Sequence, residues 1–332
     1  MLQSRQKLKV TGIQNAVEKD MGTFYLDKWE NVEKKTMKIT AIDLIGVIDK
    51  MDFMGNIYFN VPFENIVNEI MISAGLTADD YTIQNSLRNI MMSGFIPICS
   101  HRQALQQVLF AVGACADCSR SDKINIFVPN KQLINNIQKT NIFHNTMNIK
   151  QNDLVTSVEV LSHNYAPGTL VEELYKGELD PGQNKILFSD PVHNLTITGG
   201  TIVKSNCNFA IVNCTTTSNV VISGRKYLNN SILHSANAVL DAQQKEMKLT
   251  IDNAYFVNRS IAMQVAQRIL DYYQKTFDTS FDYLIQNERI GDYTDLETEY
   301  EQKLVGNITR LNVDLLGGWI TNIGVHTELE EE

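Results

Sequence analysis

The sequence predicts an α+β fold, mainly β, with a small α/β unit lying between two β regions. Three observations carry this. Over the first 55 residues, apolar and polar side chains alternate with the period of a half-buried strand. Between 57 and 129, apolar residues recur at helical spacing in two segments, and a strand-like run follows the second. From about 152 onward short strand-like runs return, interrupted by one helix. The implied division is 1–56, 57–150 and 151–332.

In the first region, Met37, Ile39 and Ala41 alternate with Thr36, Lys38 and Thr40. The aromatic-rich segment 24–30 before them also suits a strand. The compact apolar run 43–49 suits a short helix or turn. In the second region, Asn60 stands as a helix cap with Pro62 in the first turn. Phe63, Ile66, Val67, Ile70, Met71 and Ala74 then form one face, and Gly75 ends the run. Ser100 and Gln103 match a capping box, ahead of a helix whose apolar face is Leu105, Val108, Leu109 and Val112. Ile124, Ile126 and Val128 alternate as a strand that stops at Pro129.

In the third region, Asp180-Pro181-Gly182 and Thr198-Gly199-Gly200 read as turns between strands. A helix is expected over 258–275, with Ile261, Ala262, Val265, Ile269 and Tyr273 on its buried face. The tail reads as a hairpin, Leu304 to Val313 returning from Trp319 to Val325.

The chain has 332 residues, of which 43% are hydrophobic and 20% charged, enough apolar material for a packed core. Its net charge of −9 makes it a poor binder of bare nucleic acid through its global field. The longest apolar stretch, Val108 to Ala116, is too short to span a bilayer. The opening residues contain no apolar core, so no secretory signal is expected. An odd cysteine count, five, then argues for reduced thiols.

The motifs of catalysis are sparse. Cys115-Ala116-Asp117-Cys118 is a CxxC, but it follows a predicted helix instead of opening one, where the dipole would activate a thiol. The other close pair, Cys207 and Cys214, is spaced too widely for a usual zinc site. Burial of idle thiols is the expectation. The six histidines form no HxH, HxxxH or HExxH, and neither a G-x-S-x-G elbow nor a phosphate loop occurs. Carboxylates are plentiful at Glu172, Glu173 and along 292–301, but nothing singles out an acid pair, so a solvated strand edge is the expectation for 292–301. Arg102, Arg120 and Lys123 make a local basic group.

Two segments resemble a known family. One is Phe24-Tyr25-Leu26-Asp27-Lys28-Trp29-Glu30-Asn31, followed by 39–49. The other runs from Gly94-Phe95-Ile96-Pro97-Ile98-Cys99-Ser100-His101-Arg102 through Ala111-Val112-Gly113-Ala114 to Ile124. With Gly291-Asp292 and the stretch from Leu311 to Trp319, they resemble baseplate hub proteins of phage tails and phage-tail-like bacteriocins.

The resemblance implies two β-barrel-like domains with the small α/β domain beside them. It implies a homo-oligomeric ring of three copies that joins the tail tube protein to the spike protein, among other baseplate proteins, in a virion or contractile injection particle made in the bacterial cytoplasm. The aromatic segment begins at residue 24, earlier than in the family, so the first barrel is expected to be partial or completed from elsewhere.

The reading is therefore of a structural protein with no enzymatic activity, cofactor, metal, membrane span or sequence-specific nucleic-acid contact. Interface residues are expected at Asp292, Asp295, Glu297 and Glu299, facing a lumen or rim, and at Arg102 and Arg120. Two alternatives stand beside it. A tail-tip host-binding module would expose Tyr165, Tyr175 and Tyr227 in loops, and a peptidoglycan-degrading protein would need a clustered acid pair or a zinc motif.

Overall fold

A computed structural model describes residues 5–14, 17–33, 36–129, 132–239, 246–298, 303–314 and 319–329. Strand outweighs helix, 56% to 16%, so the chain is α+β and mainly β.

It begins with a three-stranded antiparallel sheet, β1 (Lys7–Gln14), β2 (Val17–Glu33) and β3 (Thr36–Ile42), in that order. Gly22, Thr23 and Leu26 are buried, whereas every described residue from Lys28 to Thr40 is exposed. Helix α1 (Leu44–Ile48) follows, its first turn held by the Asp43 carboxylate, which accepts from the Gly46 N–H at 2.7 Å. Leu44, Ile48 and Phe53 belong to the buried cluster of the α/β unit that follows.

The α/β unit comprises β4 (Asp52–Phe53), β5 (Asn56–Pro62), α2 (Phe63–Ser73), β6 (Tyr81–Ile83), α3 (Asn85–Arg88), β7 (Met91–Ile96), β8 (Cys99–Ser100), α4 (His101–Val112), β9 (Cys115–Asp117) and β10 (Ile124–Phe127). Asn60 is not the cap of α2. It sits at φ 52° in an irregularity of the β5–β7 pairing, and strand β5 runs directly into the helix, whose Phe63 N–H donates to the Ile90 carbonyl at 2.8 Å. The α4 start is as expected: the Ser100 hydroxyl accepts from Gln103 N–H, and the Gln103 side chain accepts from Ser100 N–H.

The third stretch is β11 (Leu133–Ile137), β12 (Asn148–Gln151), β13 (Ser157–Ser162), β14 (Tyr165–Leu179), β15 (Gly182–Leu187), β16 (Val192–Thr198), β17 (Thr201–Ser205), β18 (Phe209–Cys214), β19 (Ser218–Asn229), β20 (Ile232–Asn237), β21 (Lys248–Ile251), α5 (Ala262–Gln274), β22 (Phe277–Leu284), β23 (Tyr293–Glu297), β24 (Lys303–Asp314) and β25 (Ile320–Leu329). Sheets β14-β19-β16 and β15-β18-β17 enclose a small core of Ile186, Ala210, Val212, Cys214, Val220 and Ile222. Both predicted turns join strands here. At the second, Gly199 has φ +84° and a Cβ would sit 2.1 Å from the Asn219 carbonyl oxygen, so only glycine fits.

The last sheet has the order β11-β23-β24-β25-β22-β12. Its two outer strands come from 133–151, a segment the sequence reading places with the α/β unit; they pair instead with β23 and β22. Phe281, Tyr283, Leu296, Leu304, Ile308, Ile323 and Val325 fill its own core. Among the described residues neither this sheet nor any other closes into a barrel.

The main core crosses the expected boundary at 150. Phe63, Ile66 and Ile70 of α2, Leu105 and Val108 of α4, Val158 and Val160 of β13, and Val265 and Leu270 of α5 belong to one buried cluster. On α5 the buried face runs through Ala266 and Leu270, while Tyr273 is exposed, because the helix turns its C-terminal aromatic residues toward a groove. A second tie links the ends of the chain. Trp319 lies on β1 so closely that a Cβ at Gly12 would meet its Cζ2 at 2.0 Å.

Leu109 is 6% exposed in the common core. Leu109→Ala is expected to cost about 2–5 kcal/mol in denaturant unfolding; a loss below about 0.5 kcal/mol is what a surface position would show.

Candidate interaction site

Over its described residues, 292–297, the acidic stretch is held within a sheet and is not a solvated strand edge. Strand β23 is an inner strand, between β11 and β24, so its side chains are held in the sheet. Asp295 is only 6% exposed. Asp292 is half-buried, and its carboxylate accepts from Arg289 N–H at 2.9 Å and from the Asn135 amide at 2.8 Å. Glu297 accepts from Lys139 N–H at 3.4 Å. These carboxylates fasten β11 and its following turn to β23, which corrects the expectation of a solvated strand edge. Glu299 lies outside the described residues.

The two arginines also serve contacts within the chain. Arg102 pairs with Asp49 at 3.4 Å across exposed surface, a pair worth little by itself. Arg120, in the loop between β9 and β10, donates to the Gln286 carbonyl at 3.0 Å. Burial lowers its pKa, and the carboxylates of Glu288 and Asp292 oppose that shift. It thereby joins the α/β unit to the C-terminal sheet.

A groove of about 920 Å³ opens between the end of α4, β21, the C-terminal half of α5 and the last sheet. Phe110, Leu249, Ile251 and Ile269 supply apolar lining, and Tyr272, Tyr273 and Tyr293 supply rings. Lys275 stands 4.7 Å over the Tyr293 ring and 3.1 Å from the Glu328 carboxylate. His326 braces one wall, stacked on Tyr272 at 4.3 Å, with its Nδ1 2.8 Å from Asp278 and its Nε2 3.0 Å from the Tyr272 carbonyl.

A smaller pocket of about 370 Å³ is lined by Tyr58, Phe59, His163, Tyr165 and Arg259 among others. Tyr165, Tyr175 and Tyr227, expected in loops by the host-binding reading, sit in strands β14 and β19 instead. His163 is buried where β13, β19 and the segment before α5 meet. Its Nε2 donates to the Asp252 carbonyl at 3.0 Å, and its Nδ1 accepts from the Asn229 amide at 2.9 Å.

The cysteines are all free, and Cys118, Cys207 and Cys214 are buried. Burial pushes the Cys118 and Cys207 thiols up to about 12 and that of Cys99 to about 11. The described residues hold no group of three or more metal-ligating side chains.

Sequence reasoning missed the two pockets and the exposed N-terminal sheet. The pockets join residues more than a hundred positions apart, which leave no local pattern. The sheet did leave one: Trp29, Met37 and Ile39 are large apolar residues on a short hairpin with no helix predicted to cover it.

No family model matches the chain, and no curated protein matches it in sequence. Among solved structures, the tail protein from Neisseria meningitidis MC58 is similar with a TM-score of 0.58, over 93% of this chain and 80% of that one, at 10% identity. The prophage tail protein gp18 from Listeria monocytogenes EGD-e gives 0.49 over 98% and 85%, also at 10% identity. The 43 kDa tail protein of prophage MuSo2 from Shewanella oneidensis gives 0.49 over 97% and 90%, at 9% identity. The first comparison establishes a shared fold; the other two, below one half, carry no argument.

Two measurements follow from the buried groups. Burial holds the His163 pKa below its ordinary value near 6.5. The fold therefore favours the neutral ring, and the unfolded chain binds more protons as pH falls through that value. Stability is expected to drop as pH falls below about 6.5, and His163→Gln to flatten that slope in urea titrations. Cys118 and Cys207 are expected to resist iodoacetamide at pH 7.5 in the folded protein and to react on unfolding, since only the thiolate attacks. Rapid alkylation of either in the native state would contradict the burial assigned to them.

Proposed function

We propose that this chain is a structural component of a phage tail or phage-tail-like particle, and within it a baseplate hub. Three copies form a ring that joins the tail tube protein to the spike protein. The observation that carries the reading is the fold shared over 93% of the chain with a tail protein.

The open sheets support it: among the described residues the β1–β3 sheet and the six-stranded sheet both end on outer strands with no further strand paired to them, and such edges template pairing with another chain. In this reading the two β regions complete barrel-like walls across neighbouring copies, and a repeated heterologous contact closes as a ring. The net charge of −9 suits a wall past which a polyanion moves without sticking. The protein works by presenting surfaces, with no catalytic step.

The test is the mass of the purified chain, alone and mixed with the tube and spike proteins of the same particle. A trimer is expected, each contact burying more than about 1,000 Å². A monomer in every mixture, or a six-fold ring, overturns the reading.

A further inference from the structure

Every described residue of the outer half of the β2–β3 hairpin is exposed. A small sheet with both faces wet is marginally stable by itself, yet this one is amphipathic. Trp29 pairs with Ile39 and Asn31 with Met37, which places Trp29, Ile39 and Met37 on one face. They are 43%, 47% and 45% exposed. The opposite face carries Lys28 and the Glu30–Lys38 pair, 3.4 Å apart. A contiguous apolar face on a projecting arm, backed by charge, marks a docking surface.

Charge says what it docks on. Residues 1–42 hold eight Lys and Arg against five Asp and Glu, a net +3, which leaves −12 for the remainder of the chain. A basic arm and an acidic body within one sequence are complementary between copies. The edges match as well. Among the described residues β3 pairs only with β2, and β14 only with β19. Strand β14 exposes Leu170 and Val171 at 69% and 57%, with Glu173 and Glu178 also exposed on the same strand.

We propose that the β2–β3 arm of one copy lies against the body of a second copy of this chain, its Trp29–Met37–Ile39 face buried there and its β3 edge aligned with the outer edge of β14. The inference rests on the self-assembly reading above and names the surface that reading needs. Strand addition supplies main-chain hydrogen bonds, and the alternating apolar side chains supply the fit. The charge pairing steers the encounter and weakens with salt.

The two tryptophans make the test direct, because Trp29 is exposed and Trp319 is 8% exposed. A Trp319→Phe variant leaves Trp29 as the only indole. Its emission is expected to move to the blue as protein concentration drives assembly. In the otherwise native chain, Trp29→Ser with Ile39→Ser is expected to weaken self-association at least ~10-fold, with far-UV circular dichroism unchanged, since both residues are solvent-exposed in the single chain.

Carbodiimide coupling of a mixture of ordinary and ¹⁵N-labelled copies is expected to join Lys28 or Lys38 of one copy to carboxylates of the other. If the native chain assembles but the double variant assembles equally well and Trp29 stays water-exposed, the arm proposal fails while self-assembly stands. Coupling of the arm only to a tube or spike protein also overturns it. A native chain that never self-associates overturns both.

Discussion

The fold depends on one buried cluster that must accept apolar faces from three distant helices. Helices α2, α4 and α5 begin at positions 63, 101 and 262, yet their inner faces share one core with β13. Each buried leucine, isoleucine or phenylalanine there contributes on the order of 1.5–3 kcal/mol relative to exposure. Once those helices are fixed together, the intervening chain has to leave the core and return to it. What leaves is two three-stranded sheets, β14 and β16 on either side of β19 and β15 and β17 on either side of β18: an excursion with its own small core, held between β13 and β20.

The same constraint explains where the polar ties fall. His101 joins α4 to Met51 and Ser73, with Nδ1 2.7 Å from the Met51 carbonyl and Nε2 3.0 Å from the Ser73 hydroxyl. His163 joins β13 to the segment entering α5. Arg120 joins the α/β unit to the last sheet. The two histidines are buried and place both ring nitrogens on carbonyls, hydroxyls or amides of other elements, and the half-buried Arg120 donates to a carbonyl of the last sheet's connecting loop. A buried polar group with good partners costs little, whereas one left alone costs about 1–3 kcal/mol. Such groups therefore specify which elements meet.

Local order was legible in the sequence wherever the signal was local. The Ser100–Gln103 box, the strand at 36–42, the turn at Gly199 and the inner faces of α2 and α4 follow from spacing alone. Asn60 misled because a polar residue before proline suits both a helix cap and an irregular strand end, and the β5–β7 pairing decided between them. The run 292–297 misled because charge reads as exposure. Here Asp292 and Glu297 receive donors from Asn135 and Lys139, some 160 residues away. Long-range pairing of this kind has no signature in a single sequence, and it also hid the true partners of 133–151.

The six-stranded sheet has a consequence in time. Strands β11 and β12 leave the ribosome well before β22, which begins some 125 residues after β12 ends. At ~5–20 residues per second, that is an interval on the order of 10 s. Throughout it, two short strands wait without the neighbours they pair with in the finished sheet, while the helical core behind them has most of its parts. Closing so long a loop sets a late and slow step. The growing chain is thus most open to wrong strand pairing during this interval, when many nascent copies crowd one infected or induced cell under the functional reading above.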